Sequence, residues 1–299
     1  MDTVSRLRAV VPFVVLAVVW GFSFPVISVG LRDLPPVLFA AFRYDVAAVL
    51  LLGYAAVAST DGHPGGRADY EAIVGGGCFL VAGNAFLFVG QQTVPSGVAA
   101  IIQGLVPIAT TLWALGLLPE ERVSAVGAAG ILLGFVGVGL VVRPDPSNLL
   151  AGDTLGRGLI VVQVISVSLG GVLVQRADPS MRRVPLVGWA MALGAVLLHV
   201  ASTAVGEPLA VAVGVEPLAA VLYLGAFATA LAFFIYFTLL ERHGALETSL
   251  VAYAVPVVAT IAGIVFLDEQ LQPLTLVGFL VVFAGFVLLK RDALRDLLA

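Results

Sequence analysis

The sequence predicts an all-α integral membrane protein with ten transmembrane helices, arranged as two inverted five-helix repeats. Three observations predict this fold: the composition, a succession of long apolar segments, and an internal repeat. The 299 residues are 60% hydrophobic and 11% charged, with a mean hydropathy of +1.09. Soluble globular proteins do not have such a composition. We therefore expect a lipid bilayer as the surroundings of the chain, and no nucleic-acid-binding or soluble catalytic domain.

The apolar segments follow one another from end to end. Each is long enough to cross ~30 Å of hydrocarbon as a helix. Arg6 and Arg8 precede the first segment as in a signal peptide, but the apolar run is too long for one, and we expect a retained first helix. The predicted spans are 9–30, 36–58, 72–93, 96–117, 123–142, 157–176, 184–203, 217–240, 246–267 and 271–290.

Two stretches of the chain resemble each other: residues 97–142 and residues 245–289. Pro107 corresponds to Pro256 at an offset of 149 residues, which becomes 148 further along. A duplicated membrane unit is the usual plan of a secondary transporter. At the second offset, the corresponding residues are Glu121 with Glu269, Gly130 with Gly278, and Gly137 with Gly285.

Loop charges predict the orientation of the repeats. With a cytoplasmic N-terminus, eleven basic residues fall on the inner side and three, Arg32, Arg143 and Arg157, on the outer side. The positive-inside rule then places both termini in the cytoplasm. Five spans per half is an odd number, so the second half enters the membrane inverted. The predicted units are a first repeat, a linker rich in turn-forming residues and a second repeat, at 9–142, 143–156 and 157–290.

A family resemblance rests on short motifs in the first two spans and on the duplicated proline, acidic hinge and glycines. The motifs are Trp20-Gly21 with Phe22, Ser23 and Pro25, and Phe42-Arg43. The chain resembles the EamA-type members of the drug/metabolite transporter superfamily over about 9–142 and 156–289. The resemblance implies a multi-pass protein of a prokaryotic plasma membrane that exports or exchanges small metabolites, often amino acids.

Polar residues inside the spans are candidates for a substrate site, because burying them in lipid is costly. Arg43 lies seven residues after Pro36, roughly 10–12 Å below the outer surface. Asp45, two residues on, points to another side of the helix, so each should have a partner on a different helix. Two readings are open: Arg43 holds a substrate carboxylate, or both are structural ties between helices. Residues at similar depth or deeper are Asn84, Gln91, Gln92 and Gln103.

The second half offers aromatic residues instead, since Ala192 corresponds to Arg43. An aromatic wall facing a polar one would suit a zwitterion with an apolar side chain. Trp20, Tyr236 and Tyr253 are the candidates, with helix packing as the alternative role. Three prolines are candidate hinges because they interrupt the helical hydrogen bonds: Pro25, Pro107 and Pro256.

Enzyme motifs were sought and not found, so we expect neither catalysis nor a cofactor or metal. The absence of a P-loop excludes an ATP-hydrolysing pump within this chain. Asp45 is the one carboxylate well inside a span. A single such group makes proton coupling possible, but we slightly favour facilitated diffusion. His199 is expected to tie helices. The predicted function is alternating-access transport by a monomer or homodimer, with a channel or receptor-like membrane protein as the alternative.

Overall fold

The computed structural model describes residues 3–58, 62–119, 123–143, 152–208, 214–291 and 294–295, and over these residues it is helical, without strands. Glu121 and most of the predicted linker lie outside the described residues. The helices are α1 (Thr3–Gly30), α2 (Pro36–Val57), α3 (Arg67–Gly90), α4 (Ser96–Leu117), α5 (Ala125–Val142), α6 (Gly152–Ala177), α7 (Arg183–Ala204), α8 (Val215–Leu222, Tyr223–Leu231 and Ala232–Ser249), α9 (Val251–Leu267) and α10 (Pro273–Leu289).

Eight helices in the described ranges are long and apolar enough to cross a membrane. The other two, α9 and α10, are apolar but have only 17 residues each, or roughly 25 Å of helix. The predicted span 246–267 begins five residues too early, because α8 continues to Ser249 and α9 starts at Val251. Length and composition thus confirm eight of the ten predicted spans.

Three of the long helices are irregular in their middle part. In α3 the segment Gly76–Val81 is π-helical, and in α8 so is Tyr223–Leu231. These segments occupy corresponding positions of the two halves. In α4 the backbone is broken at Gly104 and Leu105, just before Pro107. Irregular winding at matching positions of two repeats is a known pointer to a binding site in membrane transporters.

The contacts between helices follow the same pattern when each of the first five helices is replaced by its counterpart among the last five. α2 packs on its counterpart α7, and α5 packs on its counterpart α10. The contacts of α1 with α9 and of α3 with α7 are matched by those of α6 with α4 and of α8 with α2. The two halves are therefore related by an approximate two-fold axis that passes between α2 and α7 and between α5 and α10.

Glycines bring α5 and α10 into backbone contact. A Cβ on Gly130 would lie 2.5 Å from the carbonyl oxygen of Gly285, and one on Gly285 would lie 2.6 Å from that of Gly130. Further along, Gly137 meets Gly278 in the same reciprocal way. The residue numbers run in opposite directions, so the two helices are antiparallel. The small-residue face of α5 is thus used within the chain, which leaves it unavailable to a second copy.

One end of the bundle carries the N-termini of α2 and α4, and we call it the capped end. Two carboxylates close these N-termini from distant loops. Glu207 accepts hydrogen bonds from the amides of Val37 and Leu38, at 3.0 and 2.9 Å. Glu269 accepts from the amide and hydroxyl of Ser96, at 2.9 and 2.7 Å. The unpaired amides and the positive end of a helix favour a carboxylate at this position.

The C-terminus of α5 reaches the same end and is closed by a cation. The guanidinium of Arg157 donates to the carbonyl oxygen of Val141 at 2.8 Å and to the carboxylate of Asp153 at 2.6 Å. Its side chain is 9% exposed. Since helix C-termini attract positive charge, this contact adds to the two carboxylate caps. The three contacts together close one end each of α2, α4 and α5.

Candidate functional site

Arg43 is buried at the contact of α2 with α8. Its Nε–H donates to the hydroxyl of Thr229 at 2.8 Å, and its guanidinium lies 5.3 Å from the centre of the Tyr44 ring. No carboxylate pairs with it among the residues described. This partner is not one of the polar residues named from their depth, because the π-helical turn of α8 presents Thr229 to Arg43. Arg43 is thus a buried cation without a carboxylate counter-ion in the part of the chain that the structure describes.

The π-helical segment of α8 supplies the other polar contacts on this side. The Thr229 hydroxyl donates back to the carbonyl oxygen of Leu224, five residues earlier, at 2.7 Å. The indole N–H of Trp20 donates to the carbonyl oxygen of Ala228 at 3.2 Å. Widened winding leaves carbonyl oxygens available to side chains from neighbouring helices. Trp20 and Arg43 are thereby fixed on the same turn of α8.

A chain of amide side chains crosses from α4 to α3 through α6. Gln103 donates to the Oε1 of Gln163 at 2.5 Å, and Gln163 donates to the Oδ1 of Asn84 at 3.3 Å. Asn84 in turn donates to the carbonyl oxygen of Leu80 at 2.8 Å, in the irregular part of α3. Gln163 is only 2% exposed. Two predicted residues, Asn84 and Gln103, are therefore joined by a third amide from the second half.

The amide chain and the arginine are connected through Tyr44, whose hydroxyl interacts with Asn84 and whose ring lies under the Arg43 guanidinium. We call the connected set the polar chain; its members are Gln103, Gln163, Asn84, Tyr44, Arg43 and Thr229. It involves α2, α3 and α4 of the first half and α6 and α8 of the second. By helix rise these residues lie roughly 10–20 Å below the capped end, near the middle of a bilayer-sized bundle.

Aromatic residues of α8 surround Trp20. The Trp20 ring lies 5.7 Å from that of Tyr236 and 6.2 Å from that of Phe233, between ring centres. Tyr253 is not part of this group: it packs against Phe286 at 4.4 Å, and its hydroxyl donates to the carbonyl oxygen of Gly104 at 3.4 Å. Trp20 and Tyr236 are brought together, whereas Tyr253 lies against α10 and the break in α4.

The remaining predicted residues lie away from the polar chain. Gln91, near the capped end, donates to the carbonyl oxygen of Phe24 at 3.1 Å, and its own Oε1 has no partner in the described part of the chain. Asp45 faces α7, where its carboxylate lies 2.7 Å from Nε2 of His199. The expectation that Arg43 and Asp45 have partners on separate helices is confirmed.

The candidate hinges behave differently from one another. Pro107 directly follows the break in α4 and begins its second half. Pro25 and Pro256 lie inside α1 and α9, which continue through them as helices. A carbonyl oxygen of α1 in the turns before Pro25 accepts a hydrogen bond from a neighbouring helix: the Tyr223 hydroxyl donates to that of Val19 at 2.9 Å. A break is visible at one of the three hinges.

A family model describes the chain twice. The EamA-like transporter family matches residues 7–143 and again residues 154–291, so that each half of the bundle carries one copy. The chain belongs to the EamA-like transporter family. It is therefore a multi-pass membrane transporter, and the resemblance predicted from the motifs of the first two spans is confirmed.

Similar EamA-like proteins occur in bacteria and archaea. An "uncharacterized inner membrane transporter" of Escherichia coli is 29% identical over 83% of this chain and 79% of its own length. An "uncharacterized transporter" of Archaeoglobus fulgidus is 27% identical over 91% and 95%. A "probable amino-acid metabolite efflux pump" of Escherichia coli is also 27% identical, over 94% of each chain. A crystal structure with a TM-score of 0.67 and 20% identity, covering 96% and 98%, shares the fold.

Sequence reasoning missed several residues of this EamA-like site. Gln163 was detectable, because it is a polar side chain inside a predicted span. Thr229 was not, because a threonine in an apolar helix normally bonds its own backbone. Its role depends on the π-helical winding, which no local pattern in the sequence announced. The same applies to the capping role of Glu207 and Glu269, whose partners are about 170 residues away.

Proposed function

We propose that this EamA-like protein is a secondary transporter of small metabolites with a carboxylate group, amino acids among them, that works by alternating access. The proposal includes ten transmembrane helices in two inverted repeats, at 9–142 and 157–290 with the linker 143–156, in a prokaryotic plasma membrane with both termini cytoplasmic. The antiparallel contact of α5 with α10 supports the inversion, because a two-fold axis relating antiparallel spanning helices lies in the membrane plane. The transporter functions as a monomer or a homodimer.

The observation that carries the proposal is the buried charge of Arg43 at the junction of the two halves, which no carboxylate of the described ranges pairs. A charged side chain inside a membrane costs about 2.5–3.5 kcal/mol on insertion scales and is kept where it has a use. A substrate carboxylate would supply the missing counter-ion and accept hydrogen bonds from the guanidinium. The name of the amino-acid metabolite efflux relative supports a substrate of this kind.

The surroundings of Arg43 suit the rest of an amino acid. The carboxamides of Asn84, Gln163 and Gln103 offer acceptors for an ammonium group. The rings around Trp20, including Tyr236, offer an apolar surface for a side chain. The carboxamides come from α3, α4 and α6 and the rings from α1 and α8, so a substrate between them would contact both halves and bind differently as they move.

The contacts at the capped end support a conformation that is closed there. Glu269 ties the loop between α9 and α10 to α4, and Glu207 ties the loop between α7 and α8 to α2. Because the predicted orientation puts this end outside, the substrate would be released from the polar chain after both ties part. Alternating access then requires corresponding contacts to form at the other end.

Uptake of radiolabelled amino acids into liposomes containing the purified protein tests the proposal. We expect saturable flux that Arg43→Ala abolishes while the protein stays folded and inserted. Arg32→Ala is the matched control, because it removes an exposed arginine from the loop before α2. Undiminished flux in Arg43→Ala would refute the role of Arg43, and flux that does not saturate would indicate a channel.

A further inference from the structure

A carboxylate and an imidazole meet on the face of α2 that lies away from Arg43. Oδ2 of Asp45 and Nε2 of His199 are 2.7 Å apart across the contact of α2 with α7. The side chains stay 43% and 37% exposed. Around them the surface is apolar, with the exposed valines Val49, Val196 and Val200. Two titratable groups on such a surface need an explanation, because charge there is costly.

The pair occupies a central position between the two halves. The π-helical segment of α8 packs on α2, where Gly225 approaches Val46 and the carbonyl oxygen of Arg43. The π-helical segment of α3 packs on α7, where Gly77 approaches Leu193. The hydrogen bond between Asp45 and His199 therefore joins the two helices on which both irregular segments rest. A change in this bond is transmitted to the polar chain, because Arg43 is only two residues from Asp45.

The pair of Asp45 and His199 has no counterpart at the corresponding positions of the repeat. At the offset of 149 residues, the positions that correspond to Asp45 and His199 are Gly194 and Leu50. Neither can bind a proton. Gly194 lies against Val81 and the carbonyl oxygen of Gly77 on α3, so its position serves close helix packing. The pair is thus an addition to the fold on one side of the axis.

An imidazole and a carboxylate in direct contact bind and release protons as one unit. On an apolar surface the pair is most stable with one shared proton, because its net charge is then zero. A second proton, or the loss of the shared one, leaves an uncompensated charge. Separating α2 from α7 and admitting water would lower that cost and let the proton leave, with a carboxylate and a neutral imidazole remaining.

We propose that Asp45 and His199 together form a proton-binding site that couples proton movement to transport. The proposal rests on the transport function proposed above and names its driving ion. One proton lies between Oδ2 of Asp45 and Nε2 of His199 in the conformation closed at the capped end. It passes to water when α2 and α7 separate. One substrate molecule is then exchanged for one proton.

Other charged and titratable groups near the pair are already engaged or distant. Arg43 is bound by Thr229, and Glu207 by the first amides of α2. Within the described residues, neither Asp45 nor His199 forms an ion pair with any other group. On α2, on α7 with its following loop and on α8, the titratable and charged groups with described side chains are Arg43, Tyr44, Tyr54, Arg183, Glu207, Glu216, Tyr223, Tyr236, Glu241 and Arg242; those on α3 are Arg67, Asp69, Tyr70, Glu71 and Cys78.

Infrared difference spectroscopy of the reconstituted protein tests the site without a substrate. We expect a carboxyl band whose intensity changes when the pH of the medium is varied. Asp45→Asn should remove this band and His199→Gln should shift it. The exchange of both residues, Asp45→His with His199→Asp, should restore it. Val196→Gln is the matched control, since it places an amide on the same exposed face. A spectrum unchanged in Asp45→Asn overturns the proposal.

Flux measurements test the coupling. With the membrane potential clamped, a gradient of one pH unit should support about tenfold accumulation of the transported members of a radiolabelled amino-acid mixture. Asp45→Asn and His199→Gln should equilibrate the same amino acids without accumulating them. Accumulation that survives in both variants overturns the coupling. Absence of all flux in the parent protein counts against the transport function, and the infrared band then decides the proton site by itself.

Discussion

Glu269 holds the capped end together, and removing its charge should open that end. The carboxylate accepts three hydrogen bonds at the start of α4, from the amide and hydroxyl of Ser96 at 2.9 and 2.7 Å and from the amide of Gly97 at 3.4 Å. In Glu269→Gln one oxygen becomes an NH2 group, which faces donors and cannot accept. The side chain keeps its size, so the packing of the α9–α10 loop is preserved.

The expected effect follows from the hydrogen bonds lost. Bonds to a charged group contribute about 1.5–3 kcal/mol each, and the substitution removes at least one of them. Because these bonds exist only while α4 and the α9–α10 loop are in contact, the full loss shifts the equilibrium toward separation. At about 1.4 kcal/mol per factor of ten, the shift is roughly ten- to hundredfold.

Spin labels on either side of this contact measure the shift. Gln92 and Gln270 are exposed and lie next to the two partners, and both can be replaced by cysteine in a Cys78→Ser background. Double electron–electron resonance should show a longer second distance, populated mainly in Glu269→Gln. Asp268→Asn is the matched control, because it removes a neighbouring charge. If the parent protein, the control and Glu269→Gln give identical distance distributions, Glu269 does not hold the capped end closed.

Two further predictions concern packing and the amide chain. Gly137→Leu should lower the thermal stability in detergent by an amount typical of overpacking, about 1–3 kcal/mol or more, because a Cβ there would lie 2.7 Å from the backbone nitrogen of Val282. Gly139→Leu, with nothing within 4 Å, should melt like the parent protein, and equal melting of both variants would contradict the contact. Gln163→Leu should leave Gln103 and Asn84 without their shared partner. Because an unpaired buried polar group costs about 1–3 kcal/mol, saturable flux should fall about tenfold or more. Full flux in liposomes would show that transport does not need the amide chain.

Much of the fold could be predicted because lipid leaves a chain few options. Helices are forced on long apolar segments by the need to pair every backbone group, so composition and length suffice to find them. The boundaries at Pro36 and Pro273 follow from proline, which is tolerated in the first turn of a helix. The late start of α9 agrees with the sequence of residues 246–249, Leu-Glu-Thr-Ser: three of the four are polar, and they continue α8 to Ser249.

The candidate site was predicted less completely because its contacts are not local. Arg43, Asn84 and Gln103 could be named as polar residues at membrane depth. Their partners depend on which helices meet and on how α8 is wound, and neither property is encoded in neighbouring residues. The partner of Asp45 lies 154 residues away on a helix whose lone histidine looked like a simple tie. The sequence thus indicates which residues are unusual, and the packing decides which of them meet.

The reciprocal glycines of α5 and α10 limit how the two halves of the chain can diverge. Gly130 and Gly285 each leave room for the other's carbonyl oxygen, and Gly137 and Gly278 do the same. A larger side chain at any of these glycines would therefore clash with the backbone of the corresponding helix in the other half. The corresponding positions Arg43 and Ala192, and likewise Asp45 and Gly194, are not linked by such a contact, and there the two halves already differ. Gene duplication left this protein with one pair of helices that must change together and others that could acquire separate chemistry.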